Sequence, residues 1–167
     1  MQPAIVAAIP TAGNRPPRWL RGASARAGTR RGECAIDRGD DLLARVRGLV
    51  DAAGGLDCVL VDEAQFLAPD QVWQLARVAD DLGQPVMAYG LRTDFRGELF
   101  PGSAALLALA DDLREVRTIC HCGKKATMVI RRDEQGRAIT QGAQVQVGGN
   151  ETYVSLCRRH WREATGN

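Results

Sequence analysis

The alternation of apolar and polar positions divides the chain into three textures. From Asp37 to Gly55, "DRGDDLLARVRGLVDAAGG" puts Leu42, Leu43, Val46, Leu49 and Val50 on one helical face. Asp40 is available as N-cap or first-turn acid, and Gly54 and Gly55 stop the helix. "CVLVDE" follows as a strand that is apolar on both faces, as central parallel strands are. The spacing predicts a second helix over Ala68 to Gln84, with Val72, Leu75, Val78 and Leu82 facing inward and Gly83 ending it. A strand over Pro85 to Leu91, a helix over Ser103 to Leu113 and a strand over Glu115 to Cys120 complete the series. Alternation of helix and strand with short loops predicts an α/β fold with a parallel sheet.

Beyond Cys120 the period drops to two. "CHCGKKATMVIRRDEQG" and "QVQVGGNETYVSLCRRH" alternate around turns and predict a small β-ribbon unit attached to the α/β core.

The start of the chain is different again. "AIVAAIP" (Ala4 to Pro10) is compatible with a short strand, but "NRPPRWLRGASARAGTRRG" has neither period, and Pro16 and Pro17 break it. Residues 1–34 are therefore expected to be an anomalous, disordered or poorly packed segment. The resulting division is 1–34, a core over 35–119, a β unit over 120–163 and a tail over 164–167.

Charge sharpens this division. Residues 1–32 hold six arginines and no acid, so all 20 acidic residues lie in the remainder, which is net negative. A mildly acidic globular part argues against nucleic acid as a partner, and the basic arm lacks interleaved aromatics. An acid-free, Arg-rich start also resembles a mitochondrial presequence, although Ser24 is its only serine. No apolar run nears the roughly 20 residues that span a bilayer. The five cysteines, Cys34, Cys58, Cys120, Cys122 and Cys157, are an odd number with no signal peptide and read as reduced and cytosolic.

Two constellations carry chemistry. Cys120 and Cys122 form C-x-C, and Cys157 and His160 form C-x-x-H. On a strand, residues i and i+2 share a face, so Cys120 and Cys122 can grip one ion together. Three thiolates and one imidazole make a closed tetrahedral site suited to structural zinc, and a small β unit needs such a staple. Strand alternation would point His121 away from the sulfurs. Unpaired buried thiols or a Cys120–Cys157 disulfide are the alternatives. Cys34 and Cys58 read as ordinary residues.

The second constellation is "VLVDE", an apolar strand ending in Asp62 and Glu63. In such a Walker B pattern the aspartate associates with Mg²⁺ and the next carboxylate can accept a proton from a nucleophile. Taken alone the pair is weak evidence, since an acid pair capping a solvated loop looks the same.

"VLVDEAQFL", "YGLRTDFRGELFPGS", "TICHCGKKA" and "VGGNETYVSLCRRH", in this order and spacing, resemble the cytosolic, zinc-containing type of thymidine kinase, in its bacterial branch. The resemblance runs from about Ala35 to about Glu163. It implies a P-loop-NTPase-like parallel sheet with helices on both faces, incomplete at the amino end, and a zinc-ribbon-like lasso domain. It implies transfer of the γ-phosphate of ATP to the 5′-hydroxyl of thymidine in the cytoplasm by a homotetramer, with structural Zn²⁺ and with Mg²⁺ accompanying ATP.

By that resemblance Glu63 is the general base and Asp62 the magnesium-associated acid. Phe95 and Phe100 pack around the thymine. Gln144, Val145, Gln146, Val147 and Gly148 form the lasso whose backbone reads the pyrimidine edge, and Tyr153 closes the pocket.

The chain departs from the family pattern over residues 1–34, which match neither the family's phosphate-binding loop nor its second strand and the segment leading to the helix at Asp37. It contains no G-x-x-x-x-G-K-[ST], and its only lysines are Lys124 and Lys125 at the cysteine clip. Phosphoryl transfer depends on that amide cradle and its lysine. Little kinase activity is therefore expected of the chain as written, and Arg92 or Arg96 would not replace a nest of amides. A non-catalytic nucleoside-binding or regulatory subunit is the alternative function. The Arg, Ala and Gly content of the first residues is what a shifted reading frame or misplaced start in a GC-rich gene produces, so the missing motif is expected in another frame upstream of Ala35. A sheet without its first strand is expected to expose apolar surface and an open edge.

Overall fold

The computed structural model describes the backbone of Ala4–Ile9 and, in full, residues 35–144 and 153–167. The remaining part of the amino-terminal segment and Val145 to Gly148 of the expected lasso lie outside the described residues.

The core sheet has four strands: β1 (Ala4–Ile9), β2 (Val59–Val61), β3 (Val86–Leu91) and β4 (Asp112–Glu115), in the order β2-β3-β1-β4. β2 and β3 are parallel, as expected. β1 is antiparallel to both β3 and β4, with Ala7 opposite Ala88 on one side and Leu113 on the other. The sheet is thus mixed: three strands run one way and β1 lies reversed among them. Ala4–Ile9 forms the short strand that its sequence allows, and one expectation changes: the sheet is not left without a strand at this position. Six consecutive extended residues satisfy the ladder bonds of both neighbours, which outweighs the lower local order read from the arginine-rich sequence beyond them.

β4 also shifts the predicted elements. Helix α3 was expected to reach Leu113 and a strand to cover Glu115 to Cys120. Instead α3 spans Pro101–Leu109, and β4 begins at Asp112, opposite Ala8. Backbone groups of β1 offer partners there that a longer helix would leave empty.

Three helices pack into one core against β2 and β3. Helix α1 (Leu42–Ala53) starts at Asp41, not Asp40: the Asp41 carboxylate accepts the Ala44 amide at 2.9 Å. Asp40 instead accepts the Asp37 amide and pairs with Arg45. Leu42, Leu43 and Val46 are buried as predicted, whereas Leu49 is 45% exposed. Helix α2 (Pro69–Leu82) buries Val72, Leu75 and Val78 and ends at Gly83, whose φ of 65° suits glycine. Full burial of a residue such as Leu75 contributes about 2 kcal/mol.

This core takes Val61, Val86 and Ala88 from the sheet, with Val59 packed against it. Alternation sends Leu60 to the opposite face, where it is 66% exposed. Among the described residues, then, α1, α2 and α3 cover a single face, and helices on both faces are not found.

The second unit begins with a two-stranded hairpin, β5 (Thr118–Ile119) and β6 (Lys125–Ala126). A three-stranded antiparallel sheet follows, built of β7 (Met128–Arg132), β8 (Ala138–Ile139) and β9 (Tyr153–Leu156) in the order β8-β7-β9. Helix α4 (Arg158–Thr165) closes the unit and runs through the boundary expected at residue 163. Trp161 on this helix is buried and joins the two units. Its indole N–H donates to the carbonyls of Phe95 at 3.2 Å and Val129 at 3.1 Å.

Candidate active site and metal centre

The turn after β2 carries the acid pair. Asp62 and Glu63 are both exposed, and the Glu63 amide donates to Asp62 Oδ1 at 2.9 Å. Glu63 has φ 52° and ψ 34°, the one non-glycine residue at positive φ among the described residues. An L side chain there costs roughly 1–2 kcal/mol, so the surrounding structure must impose it. A single 3₁₀ turn, Ala64–Phe66, then returns the chain to the core.

Gln65, which sequence reasoning passed over, does much of the imposing. It is 1% exposed. Its amide nitrogen donates to the Glu63 carboxylate, and its Oε1 accepts the Leu91 amide at 2.9 Å. The end of β2 is thereby tied to the end of β3. Two glycines allow the close approach. A Cβ on Gly90 would lie 2.7 Å from Gln65 Oε1, and one on Gly102 would lie 2.5 Å from the Ala64 carbonyl oxygen. The Ser103 hydroxyl donates to the Leu91 carbonyl at 2.5 Å, fixing the start of α3 to the same strand end. A polar residue inside an apolar run, as in "EAQFL", was the available signal for Gln65.

The loop between β3 and α3 is organised by Asp94, which is 2% exposed. Its carboxylate accepts the amides of Arg96 at 2.9 Å and Glu98 at 3.0 Å and pairs with the Arg96 guanidinium. Arg92 donates to the Thr127 carbonyl at 3.1 Å. Both arginines considered as phosphate contacts are thus engaged in holding the loop.

The aromatic residues expected around a base are well packed. Phe95 is 1% exposed, with the Arg131 guanidinium 4.3 Å from its ring centre. Phe100 is buried and meets Phe66 edge-on at 5.8 Å. Tyr153 and Gln144 are half-buried, and Tyr153 lies opposite Arg131 across β7 and β9.

The metal-ligating set converges. One donor atom each from Cys120, Cys122, Cys157 and His160 lies within 4.8 Å of all the others. The sulfurs of Cys122 and Cys157 are 3.9 Å apart, and His160 Nδ1 lies 3.3 Å from Cys120 and 3.5 Å from Cys157. A tetrahedral zinc with ordinary bond lengths requires S···S edges of about 3.8 Å and S···N edges of about 3.5 Å. The donor set therefore fits zinc in both chemistry and spacing, and the sulfurs stand too far apart for disulfides.

Its backbone differs from expectation. Cys120 and Cys122 lie in the β5–β6 turn, not along a strand; the Cys120 amide donates to the Lys124 carbonyl at 2.8 Å, and Gly123 has φ 80°. Strand alternation does not apply there. His121 is not directed away: its ring stacks on His160 at 4.3 Å, and its Nδ1 is 3.7 Å from the Cys120 sulfur.

Burial alone would raise the Cys120 thiol, but the amides of Cys122 and Cys157 and the His160 ring lower it to about 5. Although the Lys124 amide lowers Cys122, burial and the neighbouring Cys120 and Cys157 raise it above the usual range. Cys58 stands apart: burial pushes it up to about 11 against the opposing Met87 backbone, consistent with an inert residue.

The thymidine kinase family profile matches residues 33–161. Similar proteins named thymidine kinase include one from Ruegeria pomeroyi, 73% identical over 128 residues, which are 77% of this chain and 64% of that protein. One from Rhizobium meliloti is 72% identical over 120 residues, 72% of this chain and 60% of that protein. Another from Idiomarina loihiensis is 54% identical over 143 residues, 86% of this chain and 74% of that protein. The chain thus spans a little under two thirds of the length of the first two. Among the described residues no helix is long and apolar enough to cross a membrane. With the matched segment covering the strand-end acid pair and the whole cysteine clip, the chain belongs to the thymidine kinase family.

Proposed function

We propose that this chain carries the nucleoside site and proton acceptor for ATP-dependent phosphorylation of thymidine at its 5′-hydroxyl. The observation carrying this reading is Glu63. It is a solvent-facing carboxylate in a costly backbone conformation, held by a buried glutamine, within the segment matched to thymidine kinases. Strain retained at an exposed acid is characteristic of a functional position.

In the proposed reaction Glu63 accepts the 5′-hydroxyl proton as that oxygen attacks the γ-phosphate. Gln65 engages one carboxylate oxygen and leaves the other available. Asp62 would hold Mg²⁺, which would supply charge neutralisation for the phosphates when ATP is bound. Phe95, Phe100, Gln144 and Tyr153 surround the base, together with Val145, Gln146, Val147 and Gly148 by the family resemblance. Cys120, Cys122, Cys157 and His160 would hold a structural zinc. With four protein ligands it has no open position, and its chemistry is restricted to joining the β5–β6 turn to the start of α4. The substrates are thymidine and ATP, and the proposed assembly is a homotetramer in the cytoplasm.

Binding and chemistry are separable here because the chain has no G-x-x-x-x-G-K-[ST]. Calorimetry is expected to show thymidine binding by the parent and by Glu63→Gln alike. ATP-dependent phosphate transfer is expected to be slow in the parent and slower by about 10²-fold or more in the variant, since a positioned base contributes on that scale. A parent chain that binds no thymidine, or a variant that transfers phosphate as fast as the parent, would refute the assignment.

A further inference from the structure

Arg131 is the one buried cation among the described residues, at 4% exposure, and no ion pair reaches it there. It lies in β7 behind Val129 and Ile130, so three consecutive side chains are buried and the period-two pattern fails at this point. A buried charge without a counter-ion is costly, and an apolar side chain of similar volume would fit at lower cost. The arrangement around Arg131 therefore needs a reason.

Its guanidinium makes two specific contacts. It lies 4.3 Å from the centre of the Phe95 ring, within cation–π range. Its Nη1 donates to the Ala143 carbonyl at 3.1 Å. Gly142, at φ 122°, closes the other side, where a Cβ would sit 2.9 Å from Nη2. The Nε–H is buried with no acceptor among the described residues. Across the sheet Arg131 stands opposite Ile139 and Tyr153. One planar cation thus touches the loop after β3 and the turn after β8, and neighbours β9.

We infer that Arg131 is a positioning residue of the nucleoside site, locking the Phe95 ring to the turn that presents Gln144. This rests on the proposed thymidine reading, because Phe95, Gln144 and Tyr153 are its base-contacting groups. Arg131 acts through them. Fixing a ring and a backbone segment before the ligand arrives removes an ordering cost from binding. Lysine would keep the charge and one donor but lose the flat face and the fork.

The test compares the full zinc-loaded chain with Arg131→Met and Arg131→Lys. Thymidine affinity is read by calorimetry, Phe95 ring resonances and Gln144 amide exchange by NMR, and fold by the melting curve and zinc content. Arg131→Met is expected to keep its zinc and weaken thymidine binding at least about tenfold. Its Phe95 resonances should shift and its Gln144 amide should exchange faster, with Arg131→Lys recovering part of the affinity. Unchanged affinity in a folded Arg131→Met chain would overturn the inference. If the methionine variant does not fold, Arg131→Lys decides it: parent-like affinity and Phe95 resonances overturn it, and weaker binding on an intact fold supports it. If the parent chain binds no thymidine, the nucleoside reading fails, and the lock itself stands only if Arg131→Met alters the Phe95 and Gln144 signals.

Discussion

The turn after β2 and the cysteine clip both present reactive side chains on a few residues of backbone, yet opposite means hold them. The turn is held by packing. Gly90 and Gly102 let neighbouring backbones close on it, and buried Gln65 bonds it to β3. It sits on a core of fourteen buried residues, large enough to support a strained Glu63. The hydrophobic cluster of the clip unit holds six buried residues among those described, two of them its own cysteines. Hydrophobic burial on that scale is small for a β unit, and a zinc ion held by Cys120, Cys122, Cys157 and His160 would supply what the core lacks. Where a large core is available, geometry is imposed by exclusion of volume; where it is not, by a few directional bonds.

Metal removal tests this contrast most severely. Structural zinc in small domains is worth on the order of 10 kcal/mol. A strong chelator, or Cys157→Ser, is expected to abolish the order of residues 118–144 and 153–167 while α1, α2 and α3 retain their helical signal. Circular dichroism and amide exchange would check it. Loss of both regions together would mean that they form one cooperative unit.

The next effect belongs to the turn. Gly102→Val puts carbon within 3 Å of three carbonyl oxygens, those of Ala64, Leu67 and Gln65. We expect a loss of about 3 kcal/mol in urea denaturation, because overpacking costs are of this size and backbone cannot yield as a side chain tip can. Zinc content should be unchanged. A variant as stable as the parent would show the turn to be compliant and would weaken the role given to packing at Glu63.

The smallest effect sharpens the clip side. Asp133, in the β7–β8 turn, has its carboxyl held below the ordinary range by the Arg137 amide and guanidinium and the Gln135 amide, against some desolvation. A carboxyl depressed by folding contributes stability that is fully present above its unfolded pKa. That contribution is lost as pH falls through the lower, folded value. Asp133→Asn should therefore destabilise slightly at neutral pH, and the difference from the parent should vanish in acid. Melting curves across the acidic range would reveal a pH-independent difference if packing, not charge, were responsible.

Much of this was legible beforehand for a physical reason. α1 and α2 declare themselves through apolar period and terminal glycines, because their burial is local to one helix face. The four metal ligands were legible from side-chain chemistry and spacing, which survive a wrong backbone assignment: the C-x-C lies in a turn instead of a strand, and the same four donors still converge. His121 was misplaced because its direction depends on backbone conformation alone. The length of α3 and the start of β4 were misread because both depend on β1, a strand about a hundred residues away in the chain. Gln65 and Arg131 were missed because a buried polar residue has meaning only through its distant partners.

The sequence by itself determined helices α1 and α2, the chemistry of the cysteine clip and the acid pair at a strand end, since each depends on the order of side chains along a short segment. Only the tertiary structure decided the reversed direction of β1, the single helix-covered face, the backbone strain at Glu63 and the burial of Arg131 against Phe95. Those features come from contacts between segments far apart in the chain, where hydrogen-bond partners and excluded volume, not local pattern, set the outcome.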